Sequence, residues 1–129
     1  MRSMNKNNLK QFAPGVAWAL VIFIVSSIPE LPTTNIGITF SDKLAHLAVF
    51  AVLGFLIAWP FCRIYRNYTK AFWISWILSG IYGILDEIHQ LFVPGRYVEV
   101  LDMLADVIGA LIGVGLFLLI DKKKSTNMK

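Results

Sequence analysis

The chain has 129 residues, 57% of them hydrophobic and 16% charged, with a net charge of +4. Its mean hydropathy of +0.64 excludes an ordinary soluble globule, which carries more charge and less apolar content. The length leaves room for one domain, and the cations lie in short flanking groups with no folded basic surface, so nucleic acid is excluded as a partner.

Residues 1–11 are polar and carry Arg2, Lys6 and Lys10. They predict an N-terminal tail, disordered or lying on the inner leaflet. The first apolar run, 12–28, predicts a helix from about Pro14, a proline permitted in the first turn, to Ser27. Pro29 and Pro32 end it. A positive start before an apolar run is also how a signal peptide begins. Ser26-Ser27-Ile28-Pro29 is a poor cleavage site, however, and more apolar runs follow, so the segment reads as an uncleaved helix. In the next connection Ile36, Ile38 and Phe40 alternate with small residues, as a segment resting in the headgroup layer would.

The second run, 44–61, is preceded by Ser41 as an N-cap and by Asp42 in the first turn, where a negative charge suits the helix dipole. It is expected to end at Trp59-Pro60 and to be followed by a basic inner loop over 62–70. Trp59, Tyr65, Tyr68, Trp73 and Trp76 gather around that loop as an interfacial belt, which explains them better than any cofactor role. Cys62 is the single cysteine, so no internal disulfide forms. The third run, 71–85, reaches spanning length if it continues to about Gln90, and Pro94-Gly95 then turns the chain. The fourth, 101–120, carries Ala105, Gly109 and Gly113 at four-residue spacing, a face that lets another helix approach closely and would permit a homo-oligomer.

A helix needs roughly 20 residues to cross about 30 Å of hydrocarbon. The four runs therefore predict an all-α, polytopic integral membrane protein with four transmembrane helices. Cations cluster before the first run, between the second and third (Arg63, Arg66, Lys70) and after the fourth (Lys122, Lys123, Lys124, Lys129). The other two connections carry only Lys43 and Arg96. The positive-inside rule then places both termini and the middle loop in the cytoplasm. The expected division is a cytoplasmic tail over 1–11, a four-helix membrane domain over 12–121 and a basic cytoplasmic tail over 122–129.

Depth carries the functional reading. Counted back from the basic end of each helix, His46, Asp86 and Asp106 all lie roughly 25 Å from the inner interface, just below the outer one. Asp42, Gln90 and Asp102 lie one turn further out. Each pair, Asp42/His46, Asp86/Gln90 and Asp102/Asp106, has i,i+4 spacing and shares a helix face. Ionisable groups at such depth are costly towards lipid, so the three faces are expected to converge into a polar pocket open to the outside. Proton transfer falls to His46, Asp86 and Glu87 as catalytic candidates, with His89 a second imidazole nearby. Asp42, Gln90, Asp102 and Asp106 would bind or orient a substrate, with Lys43 and Arg96 as anion contacts. Arg96 pairing with Asp86, Glu87 or Asp102 is the competing assignment. Carboxylates with one histidine suit a divalent cation, although no His-Glu-x-x-His spacing occurs and no cofactor is specified.

The run Ser41-Asp42-Lys43-Leu44-Ala45-His46, then Asp86-Glu87-Ile88-His89-Gln90, Val93-Pro94-Gly95-Arg96 and Asp102-x3-Asp106-x2-Gly109-x3-Gly113 closely resembles the VanZ-like family of small bacterial membrane proteins. Ser26-Ser27-Ile28-Pro29 is also similar, and the resemblance covers roughly residues 15–120. The family's positions fall on Asp42, Lys43, His46, Asp86, Glu87, Gln90, Arg96 and Asp102. Asp106 departs from it, since the family usually has asparagine there, which favours a positioning role. The resemblance implies a bacterial plasma-membrane protein of the cell envelope, in a family named for teicoplanin resistance. An envelope lipid or wall precursor is the ligand that fits. An enzyme and a non-enzymatic accessory subunit both stay open, the latter with a polar layer that locks helices together or binds a partner protein.

Overall fold

In a computed structural model the described residues are 9–29 and 40–127, with the side chains of Phe40 and Ser41 left out. A 3-10 turn, Lys10–Phe12, leads into α1, Ala13–Ser26. Then come α2, Phe40–Tyr65, α3, Tyr68–Gln90, and α4, Val100–Asn127. The expectations for residues 1–8 and for the headgroup-layer segment through Ile36 and Ile38 lie outside the described residues.

The fold is all-helical. Three helices, Asp42–Tyr65, Tyr68–Gln90 and Val100–Asn127, are long and apolar enough to cross a membrane among the described residues. The first is shorter than the four-span reading requires. Its 14 residues reach only about 21 Å, against roughly 30 Å of hydrocarbon. It nonetheless runs beside most of α2. Phe12 meets Phe61 edge-on with ring centroids 5.2 Å apart at one end, and Ser26 reaches Asp86 at the other.

Two boundaries differ from the sequence reading. Helix α2 begins at Phe40, so Ser41 falls inside its first turn and is not the residue before it. It also runs through Pro60, which is almost fully buried, and continues to Tyr65. A proline removes one helical hydrogen bond, and here the helix continues across the gap with the proline buried. The inner loop shrinks accordingly from nine residues to Arg66 and Asn67. Arg66 has φ 52°, and its N–H bonds the Cys62 carbonyl at 3.0 Å, closing α2. Asn67 is the N-cap of α3, its side chain accepting from the Lys70 N–H at 3.0 Å. So tight a link makes α2 and α3 antiparallel. The belt residues flank it, with the Arg63 guanidinium 5.4 Å from the Trp59 ring centre and the Lys70 amine 5.9 Å from that of Tyr65.

The α2–α4 seam positions everything else. The two helices run parallel: a Cβ on Gly109 would stand 2.2 Å from the Leu47 carbonyl oxygen, and one on Gly113 would stand 1.8 Å from that of Ala51. Only glycine permits backbones this close. The small-residue face of α4 is therefore covered by α2 within the chain, and the homo-oligomer expected from that face would need another surface. Gly83 plays the same part on α3, where a Cβ would lie 2.7 Å from that of Asp106. Helix α1 packs Trp18 and Ile22 on Phe50 and Leu53 of α2. It is fastened by the Trp18 indole N–H to the Val49 carbonyl, 2.9 Å, and by the Tyr82 hydroxyl to the Ala19 carbonyl, 2.6 Å. Large apolar side chains such as Leu20, Ile24, Leu78, Ile81, Ile112 and Leu116 point outward. An apolar exterior around a buried polar layer suits lipid and not water.

Candidate functional site

The polar residues gather where α2 and α4 begin and α3 ends. On α2, Lys43 and His46 are three apart and share a face. On α4, Asp102 and Asp106 are four apart and likewise share a face. Because the two helices run parallel in close register, the two pairs meet. The Lys43 amine stands 2.5 Å from Asp102 Oδ1 and also pairs with Glu99. His46 Nδ1 bonds Asp106 Oδ1 at 2.9 Å, while its Nε2 faces Asp102 Oδ2 at 4.0 Å.

Helix α3 contributes two acids to two different places, because consecutive helical residues are turned by about 100°. Glu87 enters the α2–α4 seam, with Oε1 3.8 Å from His46 Nδ1 and Oε2 accepting from the Glu99 backbone N–H at 3.4 Å. It is fully buried, as is Asp106. Asp86 turns towards α1, accepting from the Ser26 hydroxyl at 2.6 Å and from Gln90 Nε2 at 3.4 Å. His46 therefore gathers Glu87, Asp102 and Asp106, while Asp86 belongs with Ser26 and Gln90.

The remaining candidates rim the site. Arg96, set by the Pro94-Gly95 turn with Gly95 at φ 79°, donates to the carbonyls of Ile28, 3.2 Å, and Val25, 3.4 Å. It caps the C-terminus of α1, where a cation suits the helix dipole. His89 Nε2 lies 2.9 Å from the Ser27 hydroxyl. Asp42 lines the same space. That space is a cavity of about 430 Å³ between α1, α2 and the α3–α4 connection. One wall is apolar, formed by Trp18, Val21, Ile22 and Val25, and the other carries Lys43, His46, Asp86, Arg96 and Asp102.

Glu99 escaped the sequence reading. It lies in the connection between helices, where no periodicity assigns a face, yet it pairs with Lys43 and holds Glu87 through its own N–H. Ser26 was legible only as a helix end, though its hydroxyl bonds a buried acid. Chemically, the arrangement offers an imidazole held between carboxylates, suited to moving a proton. It also offers two cations at the edge of a cavity, suited to an anionic group.

A family model for VanZ/LLP1 matches residues 3–121, nearly the whole chain. The chain belongs to the VanZ/LLP1 family. Comparison with curated proteins and with solved structures returned no match. The family match spans all the polar positions described above, from Ser26 to Asp106, so the cluster lies within the VanZ/LLP1 region and not on an appended segment.

Proposed function

We propose that this protein is a multi-pass plasma-membrane protein of the bacterial cell envelope that holds the polar head of a lipid or lipid-linked wall precursor at the outer leaflet. The observation that carries the reading is the two-sided cavity. An apolar wall on α1 suits acyl or isoprenyl carbon, and Lys43 and Arg96 opposite suit a phosphate or carboxylate. All four helices cross the bilayer in this reading, with both termini cytoplasmic. Helix α1 manages despite its length because its ends are held at the levels of Phe61 and Asp86. The cavity then faces the outside, the side on which wall precursors and glycopeptide antibiotics meet, which fits a family named for teicoplanin resistance. His46 and Glu87 are the proton-transfer candidates if the bound head is modified. Asp86, Gln90, Asp102 and Asp106 orient the groups around them.

A second reading has its own observation. Most of the polar side chains are bonded to one another, as in Ser26–Asp86, Lys43–Asp102 and His46–Asp106. A non-enzymatic accessory subunit whose polar layer locks the helices would look this way. Mass spectrometry of lipids co-purifying in mild detergent separates the two. The head-group reading expects one anionic envelope lipid enriched with the wild type and lost with Asp86→Ala, at equal protein recovery. Identical bulk lipid in both samples favours the accessory subunit.

A further inference from the structure

We propose that His46, Glu87 and Asp106 together hold a divalent cation of the first transition row. The assignment goes beyond lipid recognition and does not depend on it.

One donor atom from each residue lies within 4.8 Å of the other two. Donors around one ion at about 2.0–2.2 Å stand no more than ~4.4 Å apart, so the trio needs to close only slightly. The side chains come from three different helices, and each is fixed. His46 is aimed by its bond to Asp106. Glu87 is held through Oε2 by the Glu99 N–H, which leaves Oε1 pointing inward. Asp106 is brought to α3 by Gly83, whose missing Cβ opens the space it occupies.

Two further observations point to a ligand. Glu87 Oε1 and Asp106 Oδ2 are buried and have no hydrogen-bond partner, although both residues are 0% exposed. An unpaired buried carboxylate oxygen is among the costliest groups a fold can retain. The charges also fail to balance. Lys43 is paired with Glu99 and Asp102, and the imidazole of His46 ligates a metal only in its neutral form, so Glu87 and Asp106 face no cation where the ion would sit. In a region of low dielectric such an excess calls for another positive charge. A dication coordinated by Glu87 and Asp106 supplies it and engages both orphaned oxygens. The imidazole selects among dications, since nitrogen suits Zn²⁺ and Fe²⁺ better than Ca²⁺ and Mg²⁺, which prefer oxygen alone, while Mn²⁺ is suited by the two carboxylates. Asp102 lies where a carboxylate would orient the second ring nitrogen of a ligating histidine. The competing account is a proton on each orphaned carboxylate.

The test uses metal alone on the full chain, purified in mild detergent with a tag free of histidine and stripped with EDTA. Titration with MnCl₂, followed by electron paramagnetic resonance of free Mn²⁺, is expected to show about one saturable site per chain. Glu87→Gln, which keeps the shape, is expected to weaken that site at least about tenfold. Asp121→Asn, at the far end of α4, is expected to bind as the wild type does. No saturable binding overturns the proposal in favour of the protonated cluster, and equal binding by Glu87→Gln overturns it in favour of a site elsewhere. Should that variant fail to accumulate, the wild type suffices. Modification of His46 by diethyl pyrocarbonate should slow when Zn²⁺ is added, and an unchanged rate refutes the site. The outcome is independent of any lipid, so failure here leaves the head-group reading to stand or fall on its own.

Discussion

Replacing Gly109 with alanine should open the seam that assembles the site. The new Cβ would stand 2.2 Å from the Leu47 carbonyl oxygen and 3.0 Å from the Leu47 Cα. These are backbone atoms, so no side chain can swing aside. An ordinary carbon–oxygen contact is about 3.3 Å, so α2 and α4 must part by about 1 Å at this level. Leu47 is the neighbour of His46, whose bond to Asp106 spans the same seam at 2.9 Å. Lengthened by that amount, it ceases to be a hydrogen bond. Overpacking of this kind costs about 1–3 kcal/mol. Loss of a bond to a charged group costs about 1.5–3 kcal/mol, and the two overlap because one displacement causes both, giving a total of about 3 kcal/mol. Unfolding by SDS from mixed micelles, followed by tryptophan fluorescence, measures the loss. Gly115→Ala is the control, since nothing lies within 4 Å of a Cβ there, and it should be neutral or slightly stabilising. If the two variants unfold alike, the close seam is not what holds the polar residues together.

Other perturbations separate the parts of the cluster. Lys43→Met leaves Glu99 and Asp102 facing each other without their cation and should cost about 1–3 kcal/mol in the same assay, between an exposed and a buried pair, with Asp102→Asn recovering part of the loss. Ser26→Ala removes the 2.6 Å bond to Asp86 and should cost about 1.5–3 kcal/mol, appearing as looser docking of α1 in cysteine cross-linking yields between α1 and α3. Arg96→Gln should act locally. Backbone amides near the end of α1 should exchange hydrogen faster once the carbonyls of Val25 and Ile28 lose their cap, while α4 is unchanged. For topology, cysteines placed at Asn67 and at exposed Tyr97 should be labelled from opposite faces of the membrane, and labelling from one face would contradict the antiparallel pair.

Much of this architecture is legible from charge and hydropathy. The apolar runs and their basic flanks mark the helices, and counting from those flanks places His46, Asp86 and Asp106 at one level before any contact is known. Rotation about each helix axis is where the sequence is silent. Asp86 and Glu87 are adjacent, equally acidic and at almost equal depth. Which of them faces His46 depends on the α2–α4 seam and on Gly83, through which α3 meets Asp106. Glu99 lies in a connection, where neither period nor depth assigns a direction. Pro60 shows the opposite failure, a strong local stop signal overridden by tertiary packing. The four-residue spacing in α4 correctly marked a close helix contact, but spacing alone does not say whether the partner is α2 or a second copy.

The central claim is that the cavity beside α1 receives an envelope lipid. A benzophenone amino acid in place of Val21, which lines the cavity, tests it most directly, with one in place of outward-facing Leu78 as reference. After irradiation of intact cells, the position at Val21 should carry a mass increment matching one anionic envelope lipid or wall precursor. That adduct should be lost with Lys43→Met and be absent at Leu78. The same mixture of bulk phospholipids at both positions, indifferent to Lys43, would contradict the claim and leave the polar layer as the lock of a four-helix scaffold.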